Sequence, residues 1–414
     1  MEDLFYDNWL SIGLQESKYK QSYPIISIKQ ADSVEKSEPL KLPPGFFSRY
    51  ANRLRNGQFY GDFKIPANVV PKIKKIADQP VQAIYTSGNK LLVESRGSWA
   101  IYDVDTYKII SQRNWKSRGS SYFCFDSKFY ALGGTIGEFS VKGKLVSETY
   151  LSAATDLNWH EAALIGGKLV LSGYLTHQSL PDGLPDGFRP LGTLETVPPN
   201  GFFIADEEEG LQEITESKRI AFFEEGAFIP AYLDNMIIQP LDQGIALLSY
   251  DLEVQKVLAC EFDIRSVSAG SNGILYVAGI SDDGPILMAL GLDGSIAYEA
   301  AMSVPGEALC PPLVTPENGA VYVGGNGLAA FDENGEQLWE HRFSTPILKN
   351  AYSLLYNDMV IFSHGSRCLV FNSAGLIALD FSLPEGGIST PLVAAGGKYF
   401  IGTETGLFEM SFIR

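Results

Sequence analysis

The side chains of this sequence that could do chemistry are few, and their spacing does not assemble a catalytic or metal site. The four histidines, at positions 160, 177, 341 and 364, have no second histidine or cysteine at the spacing that zinc and copper ligands require. No Gly-x-Ser-x-Gly elbow for a nucleophilic serine is present. We therefore predict that the protein is not an enzyme and that it holds no metal or cofactor.

Aspartate-rich and glycine-rich segments resemble two kinds of binding loop but lack the parts that complete them. The segment Asp332-Glu333-Asn334-Gly335 begins like a calcium loop and does not continue to the terminal glutamate of that motif. The glycine-rich segment 324–327 is not followed by Lys-Ser/Thr or a helix, so it is not a phosphate loop. We interpret both as hairpin turns.

An insertion at residues 172–200 carries the residues that we consider first for partner binding. Asp182 and Asp186 each stand in a Pro-Asp-Gly turn, which favours a structured loop. His177, Phe188 and Arg189 are the anchors that we predict there, because aromatic and arginine side chains supply much of the binding energy at interfaces. Long loops on rigid scaffolds are often functional, and a neutral insertion is the alternative.

The N-terminal segment, residues 1–66, is a second candidate. Aromatic and aliphatic residues cluster around Trp9, and the segment lacks the regular pattern of the rest of the chain. Two hypotheses remain open. The segment packs against the side of the fold as a strap, or it docks onto another protein through Trp9 and its neighbours.

The elements that would position these residues come from a repeat. Two-residue turns, each followed at once by a short apolar run, begin at positions 89, 127, 167, 234, 272, 318, 357 and 397. Their intervals are 38, 40, 67, 38, 46, 39 and 40 residues, and the long one contains the insertion. A period near forty is typical of a repeat architecture.

Each unit predicts four short strands joined by hairpins. In the clearest one, residues 305–345, an Asn-Gly turn at 318 precedes the strand Val321–Val323, a glycine-rich turn precedes Leu328–Phe331, and Leu338 and Trp339 lie on the last strand. No long amphipathic helix is predicted in residues 80–414. The pattern predicts an all-β chain, an eight-bladed β-propeller of four-stranded blades over residues 67–414, with seven blades as the alternative.

The last unit has room for only three strands before the chain reaches Arg414. Because an open sheet edge favours aggregation, we expect an N-terminal segment to supply the missing outer strand. The spacing back from the turn at position 89 favours residues 69–77. The alternating, isoleucine-rich run 24–29 is the alternative donor.

One stretch connects the repeat to a known family. Residues 332–339, Asp-Glu-Asn-Gly-Glu-Gln-Leu-Trp, resemble the pyrroloquinoline-quinone-type propeller repeat, which pairs an Asp-turn-Gly with a tryptophan. Residues 103–108 resemble it more weakly, with Tyr107 where the repeat prefers glycine. Most other units lack the tryptophan, so the resemblance is to a degenerate, non-catalytic member. The family includes quinone-dependent dehydrogenases and non-catalytic propellers, and this chain lacks the adjacent cysteine pair that those enzymes place at the cofactor.

Charge and composition limit the partners and the compartment. The formal net charge is −17, and residues 1–80 hold 12 basic against 9 acidic residues, so they carry +3 and the remainder carries −20. An acidic ring repels phosphate backbones, so we expect no nucleic-acid binding. The start of the sequence shows no signal-peptide pattern, and no apolar stretch reaches a membrane span. The four cysteines show no close pairing, and we expect reduced thiols and a cytoplasmic protein.

These observations predict a non-catalytic scaffold for protein–protein interaction, a component of a bacterial multiprotein assembly. We expect protein partners, no membrane insertion and no small-molecule ligand. The alternative is a small-ligand binder, or a quinone- or metal-dependent enzyme, that uses the central funnel of the ring. A periplasmic assembly propeller whose export signal has been removed is a third hypothesis.

Overall fold

All regular elements in the described part of the chain are β-strands. The computed structural model of the protein describes residues 25–27, 29–30, 58–59, 65, 69–95, 98–114, 121–125, 128–132, 135–150, 157–165, 168–175, 200–206, 221–222, 230–233, 236–241, 244–249, 254–304, 308, 310–315, 317, 319–344, 347, 351–356 and 359–412. A search of these residues finds no helix with the length and apolar character that crossing a bilayer demands.

Four strands precede the repeat units. They are β1 (Ile25–Ser27), β2 (Lys29–Gln30), β3 (Gln58–Phe59) and β4 (Lys72–Ala77).

The strands that follow form eight sheets, counted over the described residues and numbered here in chain order. Sheet 1 contains β5 (Ala83–Ser87), β6 (Lys90–Ser95), β7 (Ser98–Asp103) and β8 (Ile109–Asn114). Sheet 2 contains β9 (Ser121–Phe125), β10 (Lys128–Leu132), β11 (Thr135–Ser140) and β12 (Leu145–Tyr150). Sheet 3 contains β13 (Leu157–Ile165), β14 (Lys168–Leu175), β15 (Asn200–Asp206) and β16 (Ala221–Phe222). Sheet 4 contains β17 (Ala231–Tyr232), β18 (Ile237–Leu241), β19 (Gly244–Leu248) and β20 (Val254–Ala259).

The second half of the chain repeats the arrangement. Sheet 5 contains β21 (Asp263–Ala269), β22 (Leu275–Ser281), β23 (Gly284–Leu290) and β24 (Ser295–Ala301). Sheet 6 contains β25 (Leu313–Val314), β26 (Ala320–Gly324), β27 (Gly327–Phe331) and β28 (Gln337–Arg342). Sheet 7 contains β29 (Ala351–Tyr356), β30 (Met359–His364), β31 (Arg367–Phe371) and β32 (Ile377–Ser382). Sheet 8 contains β33 (Val393–Ala395), β34 (Lys398–Thr403) and β35 (Gly406–Ser411).

Within each sheet the strands lie side by side in chain order and pair antiparallel. The first strands of neighbouring sheets lie beside one another, as β33 does beside β5 and β5 beside β9. The first strand is therefore the inner strand of a sheet and the fourth is its outer strand. The central strands are buried on both faces, which explains their near-continuous apolar sequences.

The fourth strand of sheet 8 comes from the N-terminal region. Strand β4 pairs antiparallel with β35, with Ile73 opposite Met410 and Lys72 opposite Ser411. It lies within the range 69–77 that the spacing of the repeat predicts. The alternative donor has another place, because Ile25–Ser27 pairs parallel with β20 of sheet 4.

The other N-terminal strands add a fifth strand to three sheets. Strand β1 lies on the outer edge of sheet 4, and β2 pairs parallel with β24 on the outer edge of sheet 5. Strand β3 pairs parallel with β29, which is the inner strand of sheet 7. The N-terminal region thus contacts both the outside and the inside of the array of sheets.

The hydrophobic core consists of layers between neighbouring sheets. One layer joins sheets 4 and 5, with Leu247, Leu258 and Val277 among its fully buried members. Another joins sheets 7, 8 and 1 and includes Val370, Phe400 and residues of β6. Because each layer is shared, a sheet buries its two faces only when both of its neighbours are in place.

A contact between the outer strand of one sheet and the outer turn of the next holds the two sheets together. Trp339 on β28 stacks on Phe371 of sheet 7, with ring centroids 5.8 Å apart, and its indole N–H donates a hydrogen bond to the carbonyl of Ser373 at 3.0 Å. The ring also covers Gly375, where an added Cβ would lie 2.5 Å from the Trp339 Cγ atom. This is the role of the tryptophan in the segment 332–339.

The junction of sheets 8 and 1 uses a different set of side chains. Tyr107 occupies the turn position where Gly375 stands in sheet 7, and it has a positive φ of 57°. The Lys398 Nζ atom donates hydrogen bonds to the Tyr107 hydroxyl at 2.8 Å and to the Val104 carbonyl at 2.7 Å. The Lys74 ammonium of β4 lies 4.2 Å from the centroid of the Tyr107 ring. These contacts offset the cost of a left-handed backbone at a bulky residue.

Three of the four cysteines are free thiols buried in these layers: Cys260, Cys310 and Cys368. Burial raises the pKa of the Cys260 and Cys368 thiols to about 12 and that of Cys310 to about 11. They are protonated at neutral pH and serve as small apolar side chains. The side chain of Cys124 lies outside the described residues.

The contact between Trp339 and Gly375 gives a testable prediction. Alanine at Gly375, where φ is +74°, should lower the free energy of unfolding by roughly 1 kcal/mol for the left-handed backbone and by about 1–3 kcal/mol more for the clash with Trp339. Gly365→Ala is the matched control, since its φ is +57° and an added Cβ meets no atom within 4 Å. Urea denaturation measures both variants. Equal losses in the two variants would contradict this packing.

Candidate interaction surface

The residues that the sequence singles out for partner binding lie outside the described residues. They are Trp9, His177, Asp182, Asp186, Phe188 and Arg189. The structure describes the two strands between which the insertion runs. Strands β14 and β15 are the second and third strands of sheet 3, and Tyr174 pairs with Asn200 where the loop leaves and returns.

The histidine and acidic residues that are described do not form a metal site. A search of the described residues finds no group of three or more histidine, cysteine, aspartate or glutamate side chains that could hold a metal ion. His341 packs against the rings of Phe371 and Phe343, with centroids 4.9 and 5.3 Å away. Burial, together with the charge of Arg367, lowers its pKa, as expected for a histidine that packs in a core.

The carboxylate of Asp332 stabilises its turn through hydrogen bonds with the backbone. The Asp332 carboxylate accepts hydrogen bonds from the backbone N–H groups of Asn334 at 2.9 Å and Glu336 at 2.8 Å. Desolvation opposes ionisation of this carboxyl group, but the N–H donors outweigh it and lower its pKa. The carboxylate thereby fixes the turn that brings Gly335 against Tyr298 of sheet 5. Its chemistry is that of an Asx turn.

The outer strands share an irregularity near their first residue. In six sheets the pairing between the third and fourth strands shifts by one residue, so that the outer strand carries one residue more than its partner. Such a β-bulge increases the local twist and redirects a side chain. The extra residues are Ile110, Val146, Gln255, Ala297, Leu338 and Ala378.

Most of the exposed large apolar residues of the described chain lie at or beside this irregularity; Val70 does not, because the register shift of β4 lies near its last residue. Leu338, the second residue of β28, is 60% exposed, and Leu376, which directly precedes β32, is 66% exposed. We call the whole set the outer apolar row, and it consists of Val70, Ile109, Ile110, Val146, Leu338, Leu376 and Ile377. All of its members stand at the start of an outer strand or one or two residues before it.

The outer apolar row follows five neighbouring sheets. Its members belong to sheets 6, 7, 8, 1 and 2, which adjoin one another through the inner strands and the shared core layers. Sheets 4 and 5 differ, because β1 and β2 lie along their outer edges. In sheet 5 the residue equivalent to Ile377 is Ile296, which pairs with Gln30 of β2 and packs partly buried against the core. Apolar residues are therefore exposed along the edges of five sheets, and partly covered where an N-terminal strand lies.

Charged pairs flank the row on the same strands. The Arg367 guanidinium makes two hydrogen bonds with the Asp380 carboxylate, at 2.8 and 2.6 Å, at the far end of the outer edge of sheet 7. Glu340 and Arg342 form a similar pair on β28. An apolar centre beside polar and charged neighbours is the composition of a protein-binding patch.

The sequence carries a signal for this row that strand periodicity does not reveal. In several units an apolar residue follows the glycine of the turn before the last strand within one to three residues, as Leu376 follows Gly375 and Leu338 follows Gly335. The sequence predicts that Leu338 lies on a strand, and this is confirmed, whereas Leu376 lies just before β32. Their exposure depends on the bulge, which appears only in the pairing register.

Comparison with known proteins supplies the name of the fold. No protein-family model matches this chain, and no curated protein sequence matches it. Solved structures do. BamB from Moraxella catarrhalis has a TM-score of 0.58 at 13% identity and covers 84% of this chain and 100% of its own. The Dos1 propeller has a TM-score of 0.57 at 10% identity and covers 83% of this chain and 94% of its own.

The fold is a β-propeller. Saccharomyces cerevisiae Sqt1, with a TM-score of 0.58 at 11% identity, covers 84% of this chain and 100% of its own. At these identities the likeness concerns the fold alone. Four-stranded antiparallel sheets are the blades of this fold, and the outer apolar row lies at the start of their outer strands.

The outer apolar row should contribute little to folding. Leu338→Ser should change the free energy of unfolding by no more than about 0.5 kcal/mol, because the side chain is mostly solvated. The matched control is Leu328→Ser on the adjacent strand of the same blade, where the side chain is 0% exposed and the loss should reach roughly 3 kcal/mol or more. Urea denaturation measures both. A comparable loss in the two variants would mean that Leu338 is part of the core.

Proposed function

We propose that this protein is a non-catalytic scaffold that binds other proteins, and that the outer apolar row is its principal contact surface. The row carries the proposal because exposed apolar residues recur at one structural position in five neighbouring blades. Single exposed apolar residues are ordinary on protein surfaces, whereas a repeated row on a rigid support is typical of an interaction surface. The residues predicted in the insertion and at Trp9 would add contacts beyond the row.

The ring that we propose has eight blades and is closed by β4. The pairing of β4 with β35 supports this closure, as do the contacts of Lys74 with Tyr107 and of Val81 with sheet 8. The backbone N–H of Val81 donates a hydrogen bond to the Thr403 carbonyl at 2.9 Å. We also propose membership of the pyrroloquinoline-quinone-like repeat family, in degenerate form. The turn at Asp332 and the stacking of Trp339 support it.

The proposal includes a cytoplasmic location and membership of a bacterial multiprotein assembly. Three buried, unpaired thiols suit a reducing cytoplasm, and a rigid scaffold with a recurring contact surface suits a bacterial multiprotein assembly. The alternative function is a ligand or catalytic site in the central funnel. Strand β3 weighs against it, because β3 pairs with the inner strand of sheet 7, where the funnel lies.

Closure by β4 can be tested with a cross-link. Lys72 and Ser411 are directly opposed in the antiparallel pairing, so a disulfide between Lys72→Cys and Ser411→Cys has suitable geometry. We expect it to form on oxidation and to raise the free energy of unfolding by roughly 4 kcal/mol, because it closes a very long loop. Non-reducing gels and urea denaturation measure the two effects.

The control for the cross-link is Ile73→Cys with Ser411→Cys, since neighbouring residues of a strand point to opposite faces. This pair should stay reduced. If neither pair cross-links in the folded protein, β4 is not the closing strand.

The scaffold function can be tested by partner capture from native extract. The full chain should retain at least one protein in stoichiometric amount. A row variant with Ile110→Ser, Val146→Ser, Leu338→Ser and Leu376→Ser should retain less than about a tenth of it, since losing central anchors of an interface commonly costs more than 1.4 kcal/mol. A deletion of residues 178–198 reports separately on the insertion.

Circular dichroism and urea denaturation should show that the row variant is folded. Two outcomes contradict the scaffold proposal: a full chain that retains no partner, and a folded row variant that retains the partner in full.

A further inference from the structure

The N-terminal strands show how the outer wall of this propeller accepts an additional strand. Strand β1 pairs parallel with β20 over three residues, from Ile25 opposite Val257 to Ser27 opposite Ala259. Strand β2 continues on the next blade, with Lys29 opposite Ser295. One short segment therefore adds to two outer strands in succession. The outer edges of these blades are able to pair with an extended chain.

The chemistry of that segment defines what such an edge accepts. Residues 25–30, Ile-Ile-Ser-Ile-Lys-Gln, are rich in a β-branched residue, contain no proline and include one lysine. Every residue can thus donate its backbone N–H group, and β-branched residues favour the extended conformation. The basic residue suits a surface on which residues 81–414 carry a net charge of −20.

The next two blades present the same edge without a strand. Among the described strands, β28 and β32 have no neighbour on their outer side; β8 and β12 have none either, but sheets 1 and 2 do not adjoin sheet 5. Ile377 on β32 stands where Ile296 stands on β24, because each pairs with the last residue of the third strand of its blade. Ile296 is partly buried beside β2, whereas Ile377 is 41% exposed. The difference between these two blades is the added strand.

The free edges are suited to pairing at one end only. Exposed apolar residues mark the first part of both strands, at Leu338 and at Leu376 and Ile377. Charged pairs, Glu340 with Arg342 and Arg367 with Asp380, occupy the later part. Charged residues protect an edge strand from indiscriminate pairing. The first three residues of each outer strand are therefore the part left open to another chain.

We propose that the outer edges of β28 and β32 bind an extended, β-branched and basic segment of a partner protein as a fifth strand. The segment pairs parallel to the outer strand and covers Leu338, Leu376 and Ile377. The structural template for this site is β2, which pairs with Ser295 and Ile296, the first two residues of β24, whereas β1 pairs with the last three residues of β20. The site repeats the position of β2 on the next two blades. Main-chain hydrogen bonds supply the pairing and the apolar row selects the β-branched side chains. This inference rests on the proposed scaffold function and names the class of partner.

The probe for this site is a synthetic peptide with the sequence of residues 22–32, labelled with a fluorophore. In this chain β20 and β24 carry the protein's own strands, and β28 and β32 are the free outer edges on the two blades that follow, so the added peptide should pair with them. Fluorescence anisotropy should show saturable binding. The same peptide with proline at the positions of Ile26 and Ser27 should bind at least ten-fold more weakly, because the N–H groups of neighbouring residues point to opposite sides of a strand and one of the two must face the outer strand.

Two measurements locate the peptide on the protein. Hydrogen exchange should show new protection at residues 337–339 and 376–378. Leu338→Ser together with Ile377→Ser should weaken binding at least five-fold. Val146→Ser is the matched control. Val146 holds the same bulge position as Leu338, but it lies on sheet 2, and neither neighbour of sheet 2 carries β1 or β2. Its binding should be unchanged.

The proposal is overturned if the peptide does not bind, if the proline peptide binds equally well, or if protection appears only on β20 and β24. The last result would mean that the peptide displaces the protein's own strand. Failure here is distinguishable from failure of the scaffold function. One such result is a partner whose capture from extract depends on the outer apolar row while the peptide measurements fail. That result supports the scaffold function and contradicts only the binding of a fifth strand.

Discussion

Shared burial is the constraint on which the rest of this structure depends. A blade has two apolar faces, and each core layer belongs to two blades, so no blade can complete its own core. The last blade is the critical one, because β33, β34 and β35 leave its outer side open. The pairing of β4 with β35 supplies the missing strand and brings residues from both ends of the repeat region into one core layer.

The junctions between blades are variations of a single contact. A side chain on the outer strand of one blade covers the outer turn of the next, as Tyr298 covers Gly335 and Trp339 covers Gly375. At the junction of sheets 8 and 1 the arrangement is inverted. The turn there carries the large side chain, Tyr107, and lysines supply the cover. The same geometry is therefore maintained by aromatic stacking in one place and by cation–π contacts and hydrogen bonds in another.

Local features of the sequence predict local features of this fold. Turns such as Asn318-Gly319 and the β-branched strands after them predict repeated four-stranded units, and the count of strands in the last unit predicts a donor within residues 69–77. The position of residues 25–30 could not be predicted, because their partner strands lie far along the chain and any outer edge has the same backbone groups. The exposure of Leu338 could not be predicted either. A shift of one residue in register reverses the face on which a strand residue lies, and nothing in the sequence marks the shift.

The pairing of β4 with β35 also has a consequence for how this protein is made. Strand β4 leaves the ribosome long before β35, because sheets 1 to 7 lie between the two strands in the chain. Through most of synthesis the first blade has one uncovered apolar face, and β4 has no partner. This pairing joins residues very distant in sequence, which slows folding and prolongs the exposure of strand edges. Until β35 has been translated, the nascent chain exposes the strand edge and the apolar face that this pairing later covers.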